Sequence, residues 1–202
     1  MGNQLTARIE VQGIRPLLWH AFGPDAIPLE KGERTGVAGN DPEEWKKTVL
    51  ATPSRQLYLE ATYPFGCMVN GAKSIKKGRG SLQPMVAATL QIVDDTILVD
   101  RFIPEAMYER ASDFYNAKHE PVYLDVRGVV NKATKGRNVR YRVAAASGWR
   151  LTFGIMWDAT MISRGEMQAV ARDAGQYAGL GDGRNVGFGR FTIERFDVSE
   201  AE

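Results

Sequence analysis

The chain has 202 residues, of which 44% are hydrophobic and 25% charged, an ordinary composition for a soluble globular protein. Its single cysteine, Cys67, excludes an internal disulfide and a cysteine-based zinc cluster, and no apolar run approaches the ~18 residues needed to cross a bilayer. The opening residues lack the apolar stretch of a signal peptide, so we expect a cytoplasmic protein without a membrane partner.

The first part of the chain predicts one regular strand, a long loop and two short elements. Residues 5–11 alternate strictly between apolar and polar side chains, which is typical of a half-buried strand. Residues 23–40 are rich in glycine and proline and indicate a long loop. Asp41 and Glu44 have the spacing of a capping box that opens a short helix, and residues 57–59 predict a brief strand.

The middle of the chain predicts a helix followed by strands. Apolar residues recur with helical spacing from Phe65 to Ile75, and the lysines around position 76 lie at the end of this helix, where cations suit the helix dipole. Strands are then expected over residues 90–99, 122–130, 138–146 and 149–157. The two central ones predict a hairpin with a basic tip at residues 131–137.

The last part of the chain predicts a helix and a final strand. Ser163 and Glu166 have the spacing of a second capping box, and a helix follows them. One face of this helix carries Met167, Val170, Ala171, Ala174 and Tyr177. A glycine-rich segment ends the helix, and residues 188–198 predict the last strand.

The order of the main elements is strand, helix, strand, strand, helix, strand. We therefore predict an α+β fold with a ferredoxin-like or RRM-like core (βαββαβ), an inserted basic β-hairpin and a long N-terminal loop. Residues 1–202 are expected to form one domain, with insertions at about 14–55 and 103–146. Many unrelated functions use this fold, so the fold by itself does not identify one.

Basic residues are concentrated in two places, although the net charge is only +2. Local basic patches, rather than net charge, mark a nucleic-acid surface, but each cluster is equally compatible with ordinary solvated surface. The first cluster is Lys73, Lys76, Lys77 and Arg79, and the second is Lys132, Lys135, Arg137, Arg140 and Arg142.

Residues 179–189, Gly-Leu-Gly-Asp-Gly-Arg-Asn-Val-Gly-Phe-Gly, are the most informative segment of the chain. Its glycines permit positive φ angles and close approach to a ligand, and Arg184 offers a guanidinium fork that suits phosphate. A dinucleotide fingerprint is excluded, because Arg184 replaces its third glycine and the segment follows a helix instead of a strand. A Walker loop is excluded because no Gly-Lys-Ser/Thr follows. A plain glycine-rich turn before an edge strand remains the alternative.

This segment resembles the signature loop of the repeat-associated (RAMP) superfamily of CRISPR proteins. That signature is glycine, hydrophobic, glycine, then five residues including a basic one, then glycine, hydrophobic, glycine, and residues 179–189 match it position for position. The segment also lies between the last helix and the last strand, as in the superfamily. More loosely, residues 57–69 are similar to a strand-loop-helix segment of guide-RNA-binding backbone subunits, with Phe65 replacing a usual lysine and Asn70 near an expected arginine.

The resemblance implies a structural subunit that binds guide RNA and polymerises along it as a homo-oligomer in a CRISPR-type effector complex. Other effector subunits, and a DNA or RNA target reached through the guide, are the further partners that it implies. The loop and first helix would hold the RNA backbone, and hairpin 122–146 is the candidate for an intercalating thumb, with loop 23–40 as the alternative. The implied RNA-binding residues are Gly179, Gly181, Gly183, Arg184, Asn185, Gly187, Gly189, Lys73, Lys76, Lys77, Arg79, Lys132, Lys135 and Arg137.

Candidate catalytic residues are few, so we predict no enzyme. The alternative is a metal-independent endoribonuclease that processes repeat RNA, because such members of the superfamily use a histidine for acid–base cleavage, and His20 is the candidate here. Some backbone subunits cut bound RNA with a loop aspartate, for which Asp25 is the candidate. No metal-binding pattern is present, and no cofactor is expected. A viral mimic of a backbone subunit that interferes with the complex would carry the same motifs.

Overall fold

The computed structural model describes residues 3–23, 40–130 and 136–200. The chain divides into two compact units. The first consists of Met1–Leu17, Tyr58–Asp100 and Ser147–Glu202, and the second of Leu18–Leu57 and Arg101–Ala146. In sequence, the two segments of the second unit nearly coincide with the insertions predicted at about 14–55 and 103–146. The organisation of residues 1–202 as a single domain stays a prediction. No helix in the described part of the chain is long and apolar enough to cross a membrane.

Strands and helices occur in both units. The strands are β1 (Gln4–Gly13), β2 (Leu17–Leu18), β3 (Gln56–Glu60), β4 (Lys76–Lys77), β5 (Gly80–Ser81), β6 (Gln91–Ile92), β7 (Thr96–Phe102), β8 (Val122–Val130), β9 (Arg137–Ala145), β10 (Arg150–Asp158) and β11 (Phe191–Glu200). The helices are α1 (Glu44–Thr48), α2 (Thr62–Gly71), α3 (Gln83–Thr89), α4 (Glu105–Glu109) and α5 (Arg164–Asp173). A π-helical turn, Ala174–Ala178, continues α5, and short 3-10 turns lie at Ala111–Phe114 and Arg184–Val186.

The main sheet has the strand order β11-β1-β10-β7-β3. Strands β11, β1, β10 and β7 are the fourth, first, third and second strands of a βαββαβ unit, whose helices are α2 and α5. The pairs that β10 forms with β1 and β7, and the pair β1–β11, are antiparallel. This order and these directions are those of the ferredoxin-like plan, so the predicted α+β class with an RRM-like core is confirmed.

The alternating sequence of β1 explains how the sheet buries one face. Ala7, Ile9 and Val11 are buried and lie opposite Ile155, Phe153 and Leu151 of β10, which are buried on the same face. The polar residues between them point to the other face, because successive side chains of a strand alternate. Helices α2 and α5 each bury apolar residues, including Cys67, Met68, Met167, Val170 and Ala171.

The second unit is organised around the hairpin β8–β9. Its strands pair antiparallel from Val122–Ala145 to Val130–Arg137, close to the predicted bounds 122–130 and 138–146. The charged side chain of Asp125 is fully buried and accepts hydrogen bonds from Arg142 (2.9 Å) and Arg127. Residues 131–135 at the hairpin tip lie outside the described residues.

The helix expected from Phe65 to Ile75 begins earlier and ends earlier than the apolar spacing predicts. Helix α2 ends at Gly71, where Ser74 Oγ donates to the Gly71 carbonyl at 2.9 Å. The lysines at 76 and 77 therefore do not end a helix; they form β4 and pair with β5. The strand predicted at 90–99 was also wrong in part, because α3 ends at Thr89 and the segment divides into β6 and β7.

The two predicted capping boxes have different outcomes. The Ser163 side chain accepts from the Glu166 N–H, and Glu166 Oε2 accepts from the Ser163 N–H at 2.9 Å, so the box at α5 is confirmed. At α1, Asp41 accepts from the Glu43 N–H at 3.0 Å, but no box forms. The Glu44 carboxylate instead faces His20 and strand β9, where the Tyr141 N–H donates to it at 3.2 Å.

Candidate nucleic-acid interface

All five glycines of the segment 179–189, called the glycine loop below, have positive φ angles. The angles are 78° at Gly179, 70° at Gly181, 68° at Gly183, 89° at Gly187 and 67° at Gly189. Residues with a Cβ rarely adopt this conformation, so the glycine spacing follows from the backbone path of the loop. The backbone of the loop therefore favours glycine at these five positions even in the absence of a ligand.

The outer glycines let the two limbs of the glycine loop pack against each other. The Leu180 N–H donates to the Gly189 carbonyl at 2.9 Å, and a Cβ at Gly189 would lie 1.8 Å from the Leu180 oxygen. A Cβ at Gly179 would lie 2.7 Å from the Phe188 oxygen. The side chains of Leu180 and Phe188 are buried. Each glycine-hydrophobic-glycine triplet therefore closes the base of the loop and sends its central side chain into the core.

The tip of the glycine loop exposes three side chains to solvent. Arg184, Asn185 and Val186 are exposed and form a 3-10 turn. The Val186 and Gly187 N–H groups donate within the loop, to the carbonyls of Gly183 and Arg184, both at 3.0 Å. These two amides are thus engaged and do not contribute to an anion-binding nest, whereas the exposed side chains of Arg184 and Asn185 offer donors at the tip.

A cleft of about 670 Å³ opens between the glycine loop, the end of α2 and the π turn. We call it the loop cleft. The residues that line it and matter for recognition are Asn70, Lys73, Tyr177, Asp182, Arg184, Asn185 and Arg190. A second cleft, of about 300 Å³, shares Asn70 and Arg184 with the loop cleft and is also lined by Thr62, Tyr63, Gly66 and Gly181.

The loop cleft is predominantly cationic. It combines Lys73, Arg184 and Arg190 with one acidic residue, Asp182. Arg190 donates from Nη2 to the Arg184 carbonyl at 3.4 Å, while its Nη1 is buried without a hydrogen-bond partner among the described residues. Guanidinium groups present several donors in a fixed fork that matches phosphate, and a buried donor without a partner is costly. An anion that reaches the Arg190 guanidinium would offset this cost.

Two protonatable side chains near the cleft stay neutral at physiological pH. Burial, followed by the nearby Glu60 and Asp182 carboxylates, raises the pKa of Tyr63. Burial raises the pKa of the Cys67 thiol to about 12, and its Sγ donates to the Ala174 carbonyl at 3.4 Å. Tyr63 therefore keeps its hydroxyl proton for hydrogen bonding, and Cys67 is a packing residue rather than a nucleophile.

The structure brings together some of the residues predicted from sequence. Lys73, Gly183, Arg184 and Asn185 line the loop cleft, and Gly181 lines the second cleft. The other basic residues of the first cluster, Lys76, Lys77 and Arg79, lie in or beside the β4–β5 hairpin and line neither cleft, and Lys77 forms an ion pair with Glu166. Arg137 is exposed at the start of β9 in the second unit, and Lys132, Lys135 and Asp25 lie outside the described residues.

Four of the recognition residues of the loop cleft were not predicted as site residues: Asn70, Tyr177, Asp182 and Arg190. Helical spacing placed Tyr177 on the buried face of α5, which was wrong. The π turn Ala174–Ala178 adds a residue to the helical repeat there, and Tyr177 is 58% exposed. Arg190 follows directly on the last glycine of the loop, and this adjacency is a signal that could have identified it.

His20 occupies a packed position in the second unit. Its Nε2 lies 3.2 Å from Glu44 Oε1, its side chain is 11% exposed, and its ring lies edge-on to Phe22 with 5.0 Å between centroids. Arg140 also pairs with Glu44, so the carboxylate joins α1 to β9. These contacts favour a packing role for His20.

Among the described residues no group of His, Cys, Asp and Glu is arranged to hold a metal ion.

The comparisons with known proteins concern the fold. No family model matches the chain, and no curated protein matches it. Among solved structures, the chain is similar to a chain in the cryo-EM structure of the Type III-B Cmr-beta bound to cognate target RNA, with a TM-score of 0.52 and 11% sequence identity. The similarity covers 99% of this chain, which spans 62% of the length of the other. This chain therefore shares its fold with a protein chain of the Type III-B Cmr-beta structure.

Proposed function

We propose that this chain binds the phosphate backbone of single-stranded RNA in the loop cleft, as a subunit of a CRISPR-type effector complex. The observation that carries the proposal is the grouping of Lys73, Arg184 and Arg190 beside the glycine loop with a single acidic residue. The fold similarity to a chain of a Cmr-beta structure that contains target RNA supports the same conclusion.

Backbone binding fits the chemistry of the loop cleft. Phosphate contacts fix the position and orientation of a nucleic acid but do not read its sequence. Arg184 is exposed at the loop tip and can reach an approaching strand, while Arg190 lies deeper, with one guanidinium nitrogen buried and unpaired within the described part of the chain. Charge-assisted hydrogen bonds from such groups are about twice as strong as neutral ones.

The RNA in this proposal is a guide RNA, and the chain is a structural subunit that stacks along it. Copies of the chain would then contact each other and other effector subunits, and the guide would pair with a DNA or RNA target. The β8–β9 hairpin is the proposed thumb. Lys76, Lys77, Arg79 and Arg137 are proposed as further phosphate contacts outside the loop cleft, together with Lys132 and Lys135.

Replacement of Arg184 by alanine tests the loop cleft directly. Arg184→Ala removes an exposed charged fork and leaves the glycine backbone intact, so we expect the melting temperature to change by no more than about two degrees. We expect the Kd for a fluorescein-labelled single-stranded RNA, measured by anisotropy, to rise about tenfold, which corresponds to one charge-assisted contact. Arg172→Ala is the matched control, because Arg172 is exposed in the last turn of α5 and lines neither cleft.

Two results would contradict this proposal. If the wild-type chain binds no RNA at low ionic strength, the RNA-binding function is wrong. If Arg184→Ala melts much earlier but keeps its RNA affinity, Arg184 is a structural residue and the loop cleft is not the binding site. Incubation with repeat RNA in EDTA tests the endoribonuclease alternative, because a metal-independent enzyme would give site-specific products that a His20→Ala variant does not.

A further inference from the structure

Tyr177 is the aromatic residue of the loop cleft. It is 58% exposed, whereas all four tryptophans of the chain are fully buried. A single exposed aromatic side chain is unremarkable on a protein surface, so its exposure alone does not indicate a ligand. What distinguishes Tyr177 is the rigid backbone that carries it and the cations that share its cleft.

The π turn Ala174–Ala178 is held in place by close backbone packing on two sides. A Cβ at Gly71 of α2 would lie 2.5 Å from the Ala174 nitrogen, so the helix and the turn touch through backbone atoms. A Cβ at Gly175 would lie 2.3 Å from the Phe191 oxygen, so the turn also presses on β11. π turns inside helices are rare, and many of those that occur lie at functional sites. The tyrosine in this turn therefore projects into the loop cleft from a preorganised backbone.

Hydrogen bonds reinforce this placement. The Ala174 carbonyl accepts the Gly179 N–H at 2.8 Å, the five-residue step of a π turn, and also accepts the Cys67 Sγ–H at 3.4 Å. The π turn and the glycine loop are thus joined at Gly179. The backbone segments that carry Tyr177 and the cations of the loop cleft consequently belong to one packed part of the first unit.

We propose that the loop cleft seats one nucleotide of single-stranded RNA, with its base stacked on Tyr177 and its phosphate held by Lys73 and Arg190, which rests on the RNA binding proposed above. Single-strand binding sites combine a basic groove with aromatic rings on which bases stack, since every base has a π face. The volume of about 670 Å³ falls within the ~300–1,000 Å³ typical of small-molecule sites. Stacking of this kind tolerates any base, as a backbone-binding subunit requires.

A single-stranded RNA that contains the fluorescent base 2-aminopurine at regular intervals tests the stacking on Tyr177. We expect the wild-type protein to quench the fluorescence of the probe on binding, because stacking on an aromatic ring quenches this base. Tyr177→Ala is expected to lose the quenching and to weaken binding on the order of tenfold. Tyr177→Phe keeps the ring and is expected to recover most of both signals. Phe102→Ala is the control, because Phe102 is an aromatic residue, 53% exposed, that does not line the loop cleft.

The salt dependence of RNA binding distinguishes the contribution of the Tyr177 ring to the affinity from that of the cations. Each phosphate contact contributes roughly 0.7 to the slope of log Kd against log salt for a single strand. Tyr177→Ala should raise Kd without changing this slope, whereas Lys73→Ala should lower the slope by about one contact. Melting temperatures of all variants show that the fold is intact.

The outcomes distinguish this proposal from RNA binding in general. If the wild-type protein binds RNA and Lys73→Ala weakens it, but Tyr177→Ala binds and quenches as the wild type does, base stacking on Tyr177 is wrong and the phosphate site stands. If Tyr177→Phe loses as much affinity as Tyr177→Ala, the hydroxyl rather than the ring is used, and stacking is again wrong. If the wild-type protein binds no RNA, the function itself fails.

Discussion

The glycines of the glycine loop differ in what a side chain would meet, although all have positive φ. At Gly189 an added Cβ would overlap the Leu180 carbonyl at 1.8 Å, so a clash with backbone atoms adds to the unfavourable φ of 67°. At Gly187 nothing lies within 4 Å of the added Cβ, and only the φ of 89° opposes a side chain. The same residue type thus serves packing at the base of the loop and backbone shape at its tip.

Alanine substitutions should separate these two roles. We expect Gly189→Ala to reduce the free energy of unfolding by about 4 kcal/mol or more, because backbone atoms must move to accommodate the Cβ. Gly187→Ala should cost about 1–2 kcal/mol, the strain of a left-handed alanine. Gly165→Ala is the control; Gly165 lies in α5 with open space around it, and alanine there should be neutral or stabilising. Urea unfolding at pH 7 measures all three, and equal losses at Gly187 and Gly189 would contradict the distinction.

At the scale of elements, the start of α5 is tied to the β4–β5 hairpin. Glu166 completes the capping box with Ser163 and also accepts a hydrogen bond from Lys77. The hydrogen bond from Lys77, then that from the Ser163 N–H, lowers the pKa of the Glu166 carboxyl from its ordinary value. Lys77, a member of the first basic cluster, therefore also has a structural role, because its charge is paired with that of Glu166.

Removal of either partner of Glu166 should have a pH-dependent cost. Ser163→Ala should reduce the free energy of unfolding by about 1 kcal/mol at pH 7, as for other N-cap residues. Lys77→Met should cost less than about 1 kcal/mol, since the pair is largely solvated. A lowered carboxyl pKa stabilises the fold above the unfolded pKa and loses that effect as the pH falls through the folded value. The Lys77→Met difference, measured by urea unfolding, should therefore shrink from pH 7 to pH 3, and a constant difference would contradict this account.

At the scale of the whole molecule, the cations proposed to contact RNA are local features of a nearly neutral chain. The net charge is +2, yet three cations and one acid line the loop cleft. Association with RNA should then depend on these positions and fall steeply with ionic strength. Because the net charge is small, adjacent copies could bind one RNA without strong repulsion between chains.

Stacking along a guide predicts assembly that depends on RNA length. Head-to-tail contacts between identical chains are heterologous and need not close, so the number of copies should grow with the RNA. Light scattering after size exclusion should give a single chain without RNA and a mass that rises with oligonucleotide length. The Arg184→Ala variant should need a higher RNA concentration for the same assembly. One copy bound to every length of RNA would contradict polymerisation and leave RNA binding intact.

Local patterns in the sequence determined much of this fold. Strict alternation placed β1, a capping box placed the start of α5, and the order of elements indicated the βαββαβ core, because each depends on residues close together in the chain. The spacing of glycines located the loop, because a positive φ is a property of single residues.

Only the tertiary structure decided which residues share the loop cleft and which side chains are committed elsewhere. Helix α2 stops at Gly71, where Ala174 packs against it, and this stop moves the later lysines into a hairpin. The π turn takes Tyr177 off the buried face, and Glu44 turns from its own helix to His20 and β9. Each outcome depends on contacts between segments distant in sequence, and a periodicity computed along one segment contains no information about the partner that the segment meets.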